Sequence, residues 1–354
     1  MGEIARGHAP DRDLLARVSA LRDEVERSRL VLDLPSTERA RAERQALLDQ
    51  LDDYVIPRLS SIDAPLLAVV GGSTGSGKST LVNSILRREV SRSGVLRPTT
   101  TSPVLIHHPD DERWFRDARV LPSLSRVTGD ERAEPQPGTV RLTPSTTLPP
   151  GMAILDAPDI DSVVQANRDL AGQLLAAADL WLFVTTAARY ADAIPWGLLR
   201  QAADRGTAVA IVLDRVDRPA MAEVRTHLIE MLREQGLETA PVFTVPETEL
   251  DADGLIPETD IERLRGWLTA LAGDQRARTM VIRQTLQGAL RSLDGRAQGL
   301  IAAAQAHREQ TGSLAQAAYD AYDTAEEGVT EGMKDGQLLR GEVLARWQEF
   351  VGTG

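Results

Sequence analysis

Gly72-Ser73-Thr74-Gly75-Ser76-Gly77-Lys78-Ser79 is the stretch from which the rest of the chain can be read. It satisfies G-x-x-x-x-G-K-[ST], a spacing with a complete physical logic. Gly72, Gly75 and Gly77 let backbone N–H groups close around phosphate oxygens. Lys78 reaches the β- and γ-phosphates, and the Ser79 hydroxyl suits Mg²⁺. The helix that begins there aims its positive dipole end at the anion. The flanks agree: Pro65-Leu66-Leu67-Ala68-Val69-Val70 reads as a buried strand before the loop, and Ser79 to Arg88 as a helix after it. Gly72, Ser73, Thr74, Gly75, Ser76, Gly77, Lys78, Ser79 and Thr80 are therefore the candidate nucleotide contacts.

The bulk chemistry narrows the class. The chain has 354 residues and a formal net charge of −12, with acids and bases interleaved. That balance lacks the basic footprint of a nucleic-acid binder, so no nucleic acid is expected as a partner. With no cysteine, disulfides, thiolate metal sites and thiol catalysis are excluded. Residues 1 to 12 lack the apolar run of a signal peptide, and no window reaches the roughly 18 apolar residues of a membrane span. These features predict a cytoplasmic protein. Of 40 basic residues, only Lys78 and Lys334 are lysine. A chain that otherwise uses arginine keeps a compact ammonium inside the phosphate loop.

Outward from the loop, apolar strand-like runs recur at Pro103–Ile106, Met152–Leu155, Leu180–Val184, Ala208–Leu213 and Pro241–Val245. Helical patterns separate several of them, at Asn167–Ala178, Pro195–Asp204 and Met221–Gln235, and Ile261–Leu271 closes the unit. Alternating strands and helices predict an α/β fold with a mostly parallel central sheet covered on both faces. Residues 109–151 read as a long loop with a strand at Thr139–Leu142. Helical patterns flank the unit: residues 11–33, then Thr37, as N-cap, through Leu51, and after Asp274 two helices over 275–309 and 313–350 with a break at Gln310–Ser313. The expected organisation is a helical segment 1–62, a nucleotide domain 63–272 and a second helical segment 273–354.

Four further stretches bear on the ligand. Arg97-Pro98-Thr99-Thr100-Thr101-Ser102-Pro103 lies 18 residues beyond Ser79, directly before a strand. Met152-Ala153-Ile154-Leu155-Asp156-Ala157-Pro158-Asp159 is an apolar strand ending in an acid, so Asp156 suits a Walker B role on a Mg²⁺-bound water. Val212-Leu213-Asp214-Arg215-Val216-Asp217 ends another strand with charges. Thr244-Val245-Pro246-Glu247 stands after the last strand.

Taken together these resemble translation-factor-class P-loop GTPases, and the dynamin-like superfamily most closely, over residues 60–272. Ser79-Thr80-Leu81-Val82-Asn83-Ser84-Ile85-Leu86 is similar to the GKSTLxNxLL continuation, and Arg97-Pro98-Thr99-Thr100 to a dynamin-like switch I. The resemblance implies GTP with Mg²⁺. It puts Ser79, Thr100 and Asp156 at the metal, with Thr99 and Thr101 as register alternatives for Thr100. It places Asp214, Arg215 and Asp217 at the base, where Asp217 would accept from the guanine ring N–H and exocyclic amine. It assigns Lys78, Thr100 and Asp159 to catalysis. At the base, Arg215 stands where the family has lysine and Asp214 where it has asparagine or threonine, and two further departures bear on hydrolysis. Asp159 replaces the glycine of D-x-x-G, whose amide donates to the γ-phosphate; at an effective ε of about 20, two unit charges 4 Å apart repel by about 4 kcal/mol. Ile160 stands where many GTPases orient water with glutamine. The expectation is a slow GTPase coupling nucleotide state to a helical bundle, with a homodimer across the GTPase domain and peripheral membrane contact implied by the family. Two alternatives remain open: a nucleotide-gated scaffold with little hydrolysis, and a transporter-type P-loop ATPase, which would need an L-S-G-G-Q signature that the sequence lacks. His107-His108 has no partner at metal-ligand spacing and reads as a strand-end turn.

Overall fold

The computed structural model describes residues 9–91, 103–117, 119–128, 138–162, 164–335 and 337–352. Helices α1 (Ala9–Arg27), α2 (Thr37–Gln50) and α3 (Ile56–Ser60) precede the sheet, with a π-helical turn at Leu51–Val55. Then β1 (Leu66–Gly72), α4 (Lys78–Leu86), β2 (Val104–His107), α5 (Glu112–Arg116), β3 (Ser125–Val127), β4 (Thr139–Pro144) and β5 (Met152–Asp156) follow. The second half runs α6 (Gln165–Ala176), β6 (Leu180–Thr186), α7 (Ala193–Arg205), β7 (Ala208–Val216), α8 (Met221–Glu234), β8 (Val242–Pro246) and α9 (Glu258–Gly273). It ends with α10 (Gln275–Lys334) and α11 (Gln337–Val351).

Among the described residues eight strands form one sheet in the order β3-β4-β2-β5-β1-β6-β7-β8. From β5 to β8 all pairings are parallel. β2 lies antiparallel to β5, and β4 and β3 extend the sheet parallel to β2. The expected mostly parallel sheet is therefore present, with three strands reversed at one side.

Strand alternation divides the core into two layers. Leu67 and Val69 of β1 face a cluster with Leu174 of α6, Leu199 of α7 and Leu228 of α8. Leu66, Ala68 and Val70 face the other, with Leu81 and Ile85 of α4 and Leu264 and Leu268 of α9. Burying β1 on both faces explains its unbroken apolar run. It also puts the strand's last residue, Gly72, between β5 and β6, so the phosphate loop springs from the middle of the sheet.

The chain groups into two compact units, one made of residues through Arg27 with Arg44–Ala297 and the other of Ser28–Glu43 with Gln298 onward. In the first, Asp179, just before β6, is fully buried and receives the Leu67 amide at 2.8 Å, the Tyr54 hydroxyl at 3.2 Å and the Arg58 guanidinium. Thr285 of α10 donates to the Asp179 carbonyl at 2.8 Å and accepts from the Ala208 amide at 3.1 Å. Helical residues before and after the sheet thus meet at the strands' starting edge.

Three local expectations are corrected. α10 runs unbroken through Gln310–Ser313: there is no proline there, and one glycine, costing about 1 kcal/mol, does not end a helix. Thr37 is the first helical residue rather than the N-cap. The Ser36 carbonyl opens the first turn, accepting from Ala40 at 3.0 Å, while the Thr37 hydroxyl points back to the Leu32 carbonyl and the Leu34 amide. Within 109–151, α5 and β3 add order where only a loop with one strand was expected. His107 is a core residue, stacked on Phe115 at 5.4 Å. Among the described residues no helix is long and apolar enough to cross a membrane.

Candidate functional site

The loop between β1 and α4 owes its path to two glycines. A Cβ on Gly72 would lie 2.1 Å from the Val184 carbonyl oxygen of β6. Gly77 sits at φ 89°, and a Cβ there would meet Asp214 Oδ2 at 2.3 Å. So strand β6 presses on one end of the loop and the end of β7 on the other. Ser73 Oγ, Ser76 Oγ and Thr185 Oγ1 are buried around it with no hydrogen-bond partner among the described residues. Buried hydroxyls without partners are rare, and this cluster surrounds a ready anion cradle.

Lys78 is buried at the start of α4, and its ammonium donates to the Gly72 carbonyl at 2.9 Å and the Ser73 carbonyl at 3.1 Å. Its third bond goes to Asp159 Oδ1, at 2.5 Å. The acid in the glycine position does not turn away; it neutralises the loop lysine. Ile160 beside it is buried, so its side chain serves the core and not a water.

Asp156, at the end of β5, is completely buried. Its Oδ2 accepts the Ser79 hydroxyl at 2.7 Å and the Ser91 hydroxyl at 2.5 Å. Burial pushes its carboxyl above the usual carboxylate range, against the two hydroxyls and Lys78. Its Oδ1 has no partner among the described residues. That orphaned oxygen beside the Ser79 hydroxyl fits Mg²⁺, which is held by one or two carboxylates together with substrate phosphates rather than by an all-protein cage. Among the described residues no group of three or more His, Cys, Asp or Glu is placed to hold a metal ion. Thr100, with its alternatives Thr99 and Thr101, lies outside the described residues.

At the base side, Asp214 is buried against Gly77 and its carboxyl is pushed up to about 6, chiefly by burial, with Glu247 adding to the rise. Arg215 takes φ 54°, which swings its side chain outward; Nη2 lies 3.8 Å from the Cβ position of Gly77. Asp217 is exposed at the start of the 3-10 turn Arg218–Ala220. The structure thus brings Asp214 and Arg215 to the phosphate loop, with Asp217 two residues beyond.

Sequence reading missed a second tie on the loop. Asp161 Oδ1 accepts both the Thr74 amide at 2.6 Å and the Thr74 hydroxyl at 2.8 Å. Arg189 bridges Asp161 Oδ2 at 2.8 Å and the Thr74 carbonyl at 3.0 Å, and Asp192 holds Arg189 at 2.9 Å. Burial opposes ionisation of Asp161, but the Thr74 and Arg189 bonds outweigh it and lower its carboxyl. Asn83 was missed as well. Its side chain accepts from the Val90 and Ser91 amides and donates to the Ser91 carbonyl, which fixes Ser91 over Asp156.

Comparison with known proteins adds the following. Residues 67–216 match the model of the dynamin family. The probable transmembrane GTPase FZO-like, chloroplastic, of Arabidopsis thaliana is 24% identical over 218 residues, covering 59% of this chain and 22% of that protein. The chain thus spans about a fifth of that curated relative's length. A member of an oligomerised bacterial dynamin pair, described in the sensing and tethering of membranes, is 12% identical with a TM-score of 0.45, covering 97% of this chain and 53% of its own. Toc33 of Arabidopsis thaliana with Mg²⁺ and GMPPNP is 17% identical with a TM-score of 0.36, covering 66% and 94%.

Proposed function

We propose that this chain, whose residues 67–216 match the dynamin family model, is a dynamin-like P-loop GTPase that binds GTP with Mg²⁺ and hydrolyses it slowly. The observation that carries this is the coupling of Lys78, Ser79 and Asp156 around one buried loop. When bound, Mg²⁺ supplies charge neutralisation between phosphate oxygens. Ser79 and Asp156 would hold it, and Thr100 is the proposed switch residue. Asp217 would read guanine, with Arg215 against the base and Asp214 behind it on Gly77. Lys78 would bind the phosphates once Asp159 releases it.

Slowness rests on Asp159 and Ile160. The first holds the loop lysine, and the second is a buried hydrocarbon where a water-orienting group would help. The same facts support a second reading, a nucleotide-gated scaffold with little turnover. In both, the nucleotide domain 63–272 passes its state to helices in 1–62 and 273–354, with the Asp179 node as the physical link. A homodimer across the GTPase face and peripheral contact with a membrane in a cell-envelope process belong to this proposal too.

One experiment tests it: GTP and ATP binding by calorimetry and turnover by phosphate release, each with and without liposomes. GTP preference with slow turnover supports the GTPase, and preference without turnover the scaffold. Equal affinity for ATP would overturn the base-reading assignment.

A further inference from the structure

The segment Asp159-Ile160-Asp161 delivers two carboxylates to donors that face the phosphate loop. Asp159 Oδ1 lies 2.5 Å from the Lys78 ammonium, and Asp161 Oδ1 takes the Thr74 amide at 2.6 Å. The two acids are held very differently. Asp161 accepts three hydrogen bonds, two from Thr74 at Oδ1 and one from Arg189 at Oδ2, and Arg189 closes the clamp by also donating to the Thr74 carbonyl. The Asp159 side chain has one partner among the described residues, Lys78, and is 16% exposed. Between them Ile160 is anchored in the core, and its amide reaches the Gly72 carbonyl at 3.4 Å.

One acid is therefore fixed and the other exchangeable. The exchangeable one sits on the ammonium that, by the chemistry of the loop, meets the β- and γ-phosphates. A diphosphate fills only part of that ammonium's reach, and a carboxylate beside it satisfies the rest. A triphosphate brings its own terminal anion to the same place and meets a like charge there. We propose, resting on the GTP-binding reading above, that Asp159 is a specificity-determining residue that stands in for the terminal phosphate and tilts the site toward the diphosphate. The Asp161–Arg189 clamp is a positioning device: it keeps the segment in register so that the Asp159 side chain moves while the backbone does not. The device discriminates by number of phosphates and is separate from base reading, which lies on the far side of Gly77 at Asp214 and Asp217.

The test is paired titration of GDP and GTP, with Mg²⁺, into the full chain and into Asp159→Asn and Asp159→Gly. Both substitutions remove the charge; the first keeps the shape and the second restores the family residue. The expected result is a fall of about tenfold or more in the ratio of the GTP to the GDP dissociation constant in both variants, driven by tighter GTP. GDP affinity should change by less than about threefold, since the diphosphate does not compete with the carboxylate. Circular dichroism and a thermal melt confirm that each variant is folded, and the two variants back each other. If both nucleotides bind and the ratio is unchanged in a folded variant, the inference is wrong while the GTP-binding reading stands. If no protein binds either nucleotide, the reading itself is wrong and the inference goes with it. If GDP and GTP tighten equally, Asp159 is a general electrostatic burden and not a discriminator, which also overturns the inference.

Discussion

Replacing Asp214 with asparagine removes a buried charge and keeps its shape, so its effect can be worked out from one titration. Asp214 is 4% exposed, and its carboxyl is raised from 3.8 to about 6. Burial is the main cause, and Arg215, with Nε 3.9 Å away, only partly offsets it. A rise from 3.8 to about 6 is worth about 3 kcal/mol. The sign follows from proton linkage. The folded chain holds this proton more tightly than the unfolded one, so the group favours folding fully below about pH 3.8. That contribution is lost as the pH rises through about 6. Asparagine does not titrate and should escape the loss. Relative to wild type, Asp214→Asn should be more stable by about 3 kcal/mol near pH 7.5, by roughly half that near pH 5, and by very little near pH 4. Urea unfolding followed by tryptophan fluorescence can measure this, because Trp114, Trp181, Trp196 and Trp267 all lie in the unit that contains the sheet. Other carboxylates titrate in both proteins and cancel in the difference. A stability gap that does not change between pH 4 and 7.5 would refute the reasoning, as would an asparagine variant less stable at the upper end.

Three further outcomes are expected. Lys78→Ala should abolish measurable triphosphate binding by calorimetry; retained micromolar affinity would contradict the role given to the loop. Asp217→Asn should reduce the preference for GTP over ATP, read as the ratio of their dissociation constants, while leaving the thermal midpoint near wild type because the side chain is exposed. Arg58→Leu leaves Asp179 buried without its cation and should destabilise the fold by about 3–5 kcal/mol in denaturant titration, whereas Arg58→Leu with Asp179→Leu should recover much of the loss.

How much of this was legible in the sequence depends on how far apart the cooperating residues lie. The loop from Gly72 to Ser79 carries its own explanation, because every partner it needs is a neighbour in the chain. Strand β1 was legible for the same reason: a run buried on both faces is apolar without interruption. The direction of β2 was not, since Val104–His107 reads the same whether its neighbour is parallel or antiparallel. The unbroken α10 was hidden by a polar stretch at Gln310–Ser313 that resembles a loop in composition and lacks only the proline that would enforce one. Asp161 and Arg189 were invisible as a pair, being separated by 28 positions and joined only when β5 and β6 flank β1. Asp159 was conspicuous as a departure, but its partner could not be named, because Lys78 lies 81 positions away and meets it only in the folded sheet.

The placement of the acids bears on how the site can load. Asp156 belongs to β5, and Ala157 still bonds the Val70 carbonyl at 3.2 Å. Asp161 is clamped on Thr74 by Arg189. The backbone between these two fixed points is four residues long, Ala157 to Ile160, and buried Ile160 anchors it. Swinging that segment as a rigid loop would break the Thr74 clamp, expose Ile160 and disturb the hydroxyls on Asp156 together. Rotating the Asp159 side chain breaks one ion pair, which, on the proposed function, a phosphate oxygen would replace. The side-chain route is therefore far cheaper, and it leaves Asp156 and Ser79 in register throughout. It follows that phosphate loading and the carboxylate geometry at the metal position are separable in this chain. A substitution at Asp159 should change how tightly the triphosphate binds without removing the two hydroxyl bonds to Asp156, whereas one at Ser91 removes one of those bonds and leaves the Asp159–Lys78 pair in place.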